Sequence, residues 1–212
     1  MEKKLKYLFK SDIYDIYIIR HPEVENHHKN VFNGHIDVDL SERGYKQAKE
    51  LIRFFEDKSI GYVYSSPLKR CKIVAEGFSK AEVVIDDRLK ERSFGIFESL
   101  RWEDIERLYP YEAEAFLKDP FFYRPEKGES FEDVRKRVVS FIKDRLKQLK
   151  GNILILAHGG VNRVFIKEFL SIQGNAVLNI SQDYACINHF ESDGDFVLAK
   201  LINGKVCFDR GI

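Results

Sequence analysis

Several short runs in this chain are apolar at consecutive positions, and longer stretches of helical periodicity separate them. The clearest is 152–157, Asn-Ile-Leu-Ile-Leu-Ala. A strand that is apolar on both faces has to be covered on both, and a sheet built from such strands is normally parallel with helices on either side. Residues 13–19 (IYDIYII) read the same way apart from Asp15, and shorter runs follow at 61–64 and 83–85. Helical patterns lie between them. The stretch 41–57 places Ala48, Leu51, Ile52 and Phe55 on one face with Ser41 as N-cap, and Pro67 suits the first turn of the next helix. The stretch 131–149 carries Val134, Val138, Phe141, Ile142 and Leu149 on an apolar stripe that Gly151 would cap. A further helix runs to Leu170, and 184–190 with 196–202 around Asp193-Gly194 reads as a β-hairpin. The expected fold is α/β: a three-layer α/β/α sandwich with a mainly parallel sheet and a C-terminal β-hairpin.

A length of 212 residues is about 1.4 times a typical ~150-residue domain, so one domain over 1–212 is expected. Within it, 98–133 differs in composition: 11 acidic and 5 basic residues, with Tyr109, Tyr111, Phe116, Phe121, Phe122, Tyr123 and three prolines. It reads as a helical lid excursion over the sheet. Lys+Arg 35 against Asp+Glu 34 leaves a net charge of +1, which argues against a nucleic-acid or membrane-surface partner. Lys3, Lys4, Lys6 and Lys10 read as a solvated end. Cys71, Cys186 and Cys207 are odd in number and scattered, so neither a disulfide framework nor a metal knuckle is indicated. With no signal-like or membrane-length apolar run, the expectation is a cytoplasmic protein.

In an open α/β sheet, ligands bind beyond the carboxyl ends of the strands. Arg20 and His21 follow the first strand; Ser65, Ser66 and then Arg70 follow the second; Asp86, Asp87, Arg88 and Glu91 follow the third. His158, Gly159 and Gly160 follow the run at 152–157. Any one of these could be structural, but together they put two histidines, several arginines and carboxylates at one sheet edge. Arginine matches phosphate oxygens two at a time, histidine can accept a phosphoryl group, and a carboxyl group can protonate a leaving alkoxide. Charge neutralisation by arginine can serve phosphoryl transfer without a metal.

These residues resemble the histidine phosphatase superfamily, the phosphoglycerate mutase-like family. IIRHPE at 18–23, NGHIDVDLSERGYKQA at 33–48, YSSPLKRCKIVAE at 64–76, RLKERSFGIFE at 88–98, GES at 128–130 and ILAHGGVNR at 155–163 look like its motifs, in family order. The resemblance implies that His21 is the phosphorylated nucleophile, that Arg20, Arg70 and His158 bind the phosphate, and that Glu91 is general acid and then base. Catalytic duty is thereby expected of His21, Glu91 and His158, with Asn26, His27, Asn33 and Gly159 contacting substrate. The chain departs from the family pattern at Pro22, His27, Val31 and Ser99, positions that bear on substrate more than on reaction type.

What the resemblance implies is a phosphatase acting on a small phosphorylated metabolite, with no metal and no cofactor. The short, acidic 98–133 segment favours hydrolysis over a phosphoglycerate-type mutase, and a non-catalytic phospho-ligand binder would have no use for a proton donor. His27, His28 and His35 beside His21 fit no metal-ligand template. His189 reads as structural. The aromatic segment 109–123 is expected to pack within the lid, with contact to a ring-bearing leaving group as the sharper alternative. A homodimer through an edge strand is plausible on this sequence.

Overall fold

The computed structural model describes residues 12–147 and 150–206; the four N-terminal lysines, Leu149 and Cys207 lie outside them. Six strands, β1 (Tyr14–Arg20), β2 (Ile60–Ser65), β3 (Glu82–Ile85), β4 (Asn152–Ala157), β5 (Ile187–Ser192) and β6 (Val197–Gly204), form one sheet in the order β3-β2-β4-β1-β5-β6. The first four positions of that order are parallel, and β5 and β6 add antiparallel. The helices are α1 (Glu42–Phe55), α2 (Lys69–Ala75), α3 (Trp102–Leu108), α4 (Pro110–Lys118), α5 (Phe131–Arg145) and α6 (Gly159–Leu170).

Period-two alternation explains the two cores. Ile16 and Ile18 of β1 and Ile153 and Ile155 of β4 pack with Val134, Val138 and Phe141 of α5 and Val164 and Phe165 of α6. Their neighbours Tyr17, Ile19, Leu154 and Leu156 point to the other face, against Leu51 and Phe55 of α1 and Cys71 and Val74 of α2. Consecutive apolar residues are therefore what a doubly covered strand needs.

Three sequence expectations shift at their boundaries. α5 ends at Arg145 with Leu146 as C-cap, short of Gly151, because buried Leu146 completes the apolar stripe. Pro67 precedes α2 rather than opening it: Leu68 is the N-cap, and its N–H donates to Ser66 Oγ across the turn. β5 begins at Ile187 and not at 184, since Ala185 adopts φ 56° and its N–H donates to the His21 carbonyl. Ser41 does cap α1, accepting from Gly44 N at 2.9 Å.

The segment 98–133 supplies α3 and α4, which surround a satellite core of Phe97, Ile105 and Ala113 flanked by Phe116, Trp102 and Tyr123. The aromatic residues divide: Phe116 and Tyr123 turn inward, while Tyr111 and Phe122 are exposed. No helix among the described residues is long and apolar enough to cross a membrane.

Candidate active site

Sheet register creates the site. Arg20 of β1 pairs with Ala157 of β4, so the next residues, His21 and His158, emerge side by side with ring centroids 5.1 Å apart. The ladder continues one step beyond both strands, His21 N donating to the Ala157 carbonyl. β2 lies on the far side of β4, and there Ser66 N donates to the Leu156 carbonyl. That fixes the Ser66 hydroxyl 2.8 Å from His158 Nε2.

Hydrogen bonds set both tautomers. A carbonyl can only accept, so His21 Nδ1, 2.8 Å from the Pro22 carbonyl, carries the proton. Its Nε2 keeps a lone pair and has no hydrogen-bond partner among the described residues. Arg70 Nε can only donate, so His158 Nδ1 at 3.3 Å accepts and its Nε2–H points to Ser66. Both rings are held well below the usual histidine pKa, first by burial and then by Arg70; Arg20 adds to this at His21, and His21 itself adds to it at His158. Each is neutral at physiological pH.

This has a consequence for stability. Unfolded, both imidazoles protonate as pH falls through about 6.5; folded, they resist. The unfolded chain then binds more protons, so the stabilisation is present above pH 6.5 and is lost as pH drops toward the folded pKa values. The expected slope is up to about 1.4 kcal/mol per pH unit for each ring, measured by urea unfolding between pH 7.5 and 5. Inorganic phosphate should flatten it, since a bound dianion favours the protonated rings.

Arg70, on the first turn of α2, is buried and donates to the carbonyls of Gly34 and Ile36, both at 2.8 Å. Arg20 lies 4.0 Å over the Tyr184 ring and donates from Nη1 to the Gln182 carbonyl, while its Nε is buried with no hydrogen-bond partner among the described residues. A buried guanidinium N–H left unpaired is costly, and an anion beside it removes that cost.

Glu91 is fixed at its backbone: its carbonyl accepts from His35 Nε2 at 2.7 Å and Arg137 Nη2 at 3.0 Å. Its carboxylate accepts from Arg92 N at 2.8 Å and from Gly160 N, in the first turn of α6, at 3.2 Å. A Cβ at position 160 would stand 2.5 Å from Glu91 Oε1, so any other residue there would push the Glu91 carboxylate from this position.

A cavity of about 330 Å³ is lined by Arg20, Glu91, Gly159, Gly160 and Arg163 at one end and by aromatic rings at the other. His21, Arg70 and His158 are recessed from its wall and adjoin it through Arg20 and Gly159. A second cavity, about 650 Å³, also touches Arg20, but there Arg43 faces Glu23 and Lys205 faces Asp183. Of the expected substrate contacts, Gly159 lines the smaller cavity. Asn26 and Asn33 bond each other reciprocally at 2.7 and 3.1 Å, and His27 donates to the Val24 carbonyl; none of the three lines that cavity. His189 bonds Asp15 at 2.6 Å and stacks on Tyr17, away from the site.

Arg163 and Tyr184 are site residues that the sequence reading passed over. Arg163 lies one turn after Gly159 on α6 and donates to its carbonyl at 3.3 Å, so i,i+4 spacing was an available signal. Tyr184 had none, because its place depends on the chain reversal at Ala185.

The profile of the histidine phosphatase superfamily (branch 1) matches residues 16–204. A metal-independent phosphoserine phosphatase of Arabidopsis thaliana is 30% identical over 180 residues, covering 81% of this chain and 76% of that protein. A phosphoglycerate mutase of Schizosaccharomyces pombe is 29% identical over 201 residues, covering 88% and 94%. The crystal structure of the alpha-ribazole phosphatase from Shigella flexneri superposes with a TM-score of 0.84 at 25% identity, covering 93% of this chain and 100% of that one.

Proposed function

Because the chain belongs to the histidine phosphatase superfamily, branch 1, we propose that it is a metal-independent phosphatase hydrolysing a small phosphomonoester through a phosphohistidine on His21. The observation that carries this reading is the free Nε2 lone pair of neutral His21 beside the unpartnered Nε–H of Arg20. One offers a nucleophile and the other a vacant contact for a phosphoryl oxygen.

In the first half-reaction His21 Nε2 attacks phosphorus, the bond to the ester oxygen breaks, and the Glu91 carboxyl group gives its proton to the departing alkoxide. Arg20 and Arg70 neutralise the equatorial oxygens, a role that needs positioning more than covalent chemistry. The substrate monoanion passes its proton to His158 Nδ1, which then donates to a phosphoryl oxygen while Nε2–H stays on Ser66 and the Arg70 Nε–H turns to the phosphoryl group; that proton departs with the inorganic phosphate. In the second half-reaction water attacks phosphorus, Glu91 takes the water proton, the phosphorus–nitrogen bond breaks, and inorganic phosphate leaves with His21 neutral again. Buried, reduced Cys71 and Cys186 accord with a cytoplasmic setting.

The short acidic segment 98–133 favours hydrolysis, and similarity to a mutase supplies the competing reading. The test is hydrolysis of a generic aryl phosphate in excess chelator, with parallel acid and acid-free quenches. Expected are undiminished phosphate release and an acid-labile phosphoenzyme. Activity abolished by chelation overturns the metal-free mechanism, and turnover that depends on a bisphosphate primer overturns the hydrolase in favour of the mutase.

A further inference from the structure

Beyond its phosphate end, the smaller cavity is walled by Phe32, Phe94, Phe116, Pro120, Phe131 and Leu178. All six are only half-buried, so apolar surface remains open to the space they enclose. They come from four separate parts of the chain, before α1, around α3 and α4, at the start of α5, and after α6. At about 330 Å³ the space is at the small end of ligand pockets, which run from about 300 to 1,000 Å³.

The cations nearest the rings already donate within the protein. Arg92 is fully buried and gives its donors to the carbonyls of Pro120, Tyr123 and Glu129. Its guanidinium also lies 5.3, 5.4 and 5.1 Å from the ring centres of Phe94, Phe116 and Phe131. It therefore fixes the three rings in place instead of addressing a ligand, and burial lowers its pKa to about 10, still charged at neutral pH. Arg163 donates to the carbonyls of Ile180 and Gly159. Among the described residues the one carboxylate in the wall is Glu91, which the proposed chemistry occupies, so no second carboxylate is there to pair with an ammonium group.

We propose that the alcohol half of the substrate is uncharged and carries a ring, which sits against Phe94, Phe116 and Phe131 while the phosphoryl group meets Arg20. This rests on the hydrolase reading for the ring to be a leaving group. Arg92 is the positioning residue of the wall, and Phe116, which with Phe32 and Phe94 joins the cavity to the satellite core, is the specificity ring that the test removes.

The test separates binding from turnover. 2-Phenylethyl and ethyl alcohols ionise almost alike, so their phosphate esters differ in the ring and hardly at all in leaving-group chemistry. Calorimetry on the intact protein should find 2-phenylethylphosphonate bound roughly tenfold or more tighter than ethylphosphonate. The kcat/KM for 2-phenylethyl phosphate should exceed those for ethyl phosphate and O-phosphoserine by a similar factor, and Phe116→Ala should shrink the phenylethyl-to-ethyl ratio. Equal phosphonate affinities overturn the proposal whether or not the variant folds, as does a preference for O-phosphoserine. Failure to hydrolyse any of the three esters, with the phosphonate preference intact, overturns the hydrolase reading and with it the ring's place as a leaving group.

Discussion

The His21→Ala protein is expected to form no phosphoenzyme and to turn over a phosphomonoester about four orders of magnitude more slowly, or worse. Covalent catalysis divides one displacement at phosphorus into two, and no neighbouring group can replace the Nε2 lone pair. His158 has both ring nitrogens engaged, by Arg70 and by Ser66, and the Cys71 thiol is buried with its pKa pushed up to about 12. Affinity for inorganic phosphate should survive, because Arg20 and Arg70 stay in place. The variant should also lose less stability in acid, since one of the two imidazoles that resist protonation is gone. Rapid acid-free quench with labelled substrate reads the phosphoenzyme, and urea titrations read the acid slope. A variant that still accumulates label on the protein overturns the assignment of His21.

Much of this architecture could be read from the chain, for a physical reason. A strand covered on both faces must be apolar at every position, so β1 and β4 stand out as runs, and the residue that ends each run is the one delivered to the sheet edge. His21 and His158 were therefore legible as neighbours before any register was known. Arg70 was legible through the Ser-Ser-Pro-Leu turn ahead of it. The apolar cavity was not. Phe32, Phe116 and Leu178 lie far apart in the chain, and no local pattern encodes their approach to one cavity. Arg92 gave no sign of its role either, since a keystone under three rings has the same sequence signature as a surface arginine. The end of α5 was misplaced for a similar reason: burial of Leu146 decides it, while the glycine five residues on looked like the stronger stop.

Arg70→Ala is expected to lower kcat/KM by about a hundredfold to a thousandfold, the typical loss when one preorganised charge contact to a transition state is removed. The loss should fall on kcat more than on KM if the contact tightens as charge moves onto the phosphoryl oxygens. A separate cost appears in stability, because the carbonyls of Gly34 and Ile36 lose their donor inside the protein. An unsatisfied buried acceptor costs about 1–3 kcal/mol, so denaturant unfolding has to accompany the kinetics. Arg70→Lys keeps the charge but places it at one point, and one ammonium cannot reach two carbonyls, His158 and a phosphoryl oxygen in the fork geometry of a guanidinium. It should restore a minor part of the rate. Arg70 is also the second cause, after burial, of the low pKa of both histidines. Without it both rings protonate more readily in the folded state, and the pH range over which acid erodes stability narrows from its lower end. A folded Arg70→Ala protein with kcat/KM within a few-fold of the parent would exclude the phosphate contact, and an unchanged acid slope would exclude its electrostatic hold on the two imidazoles.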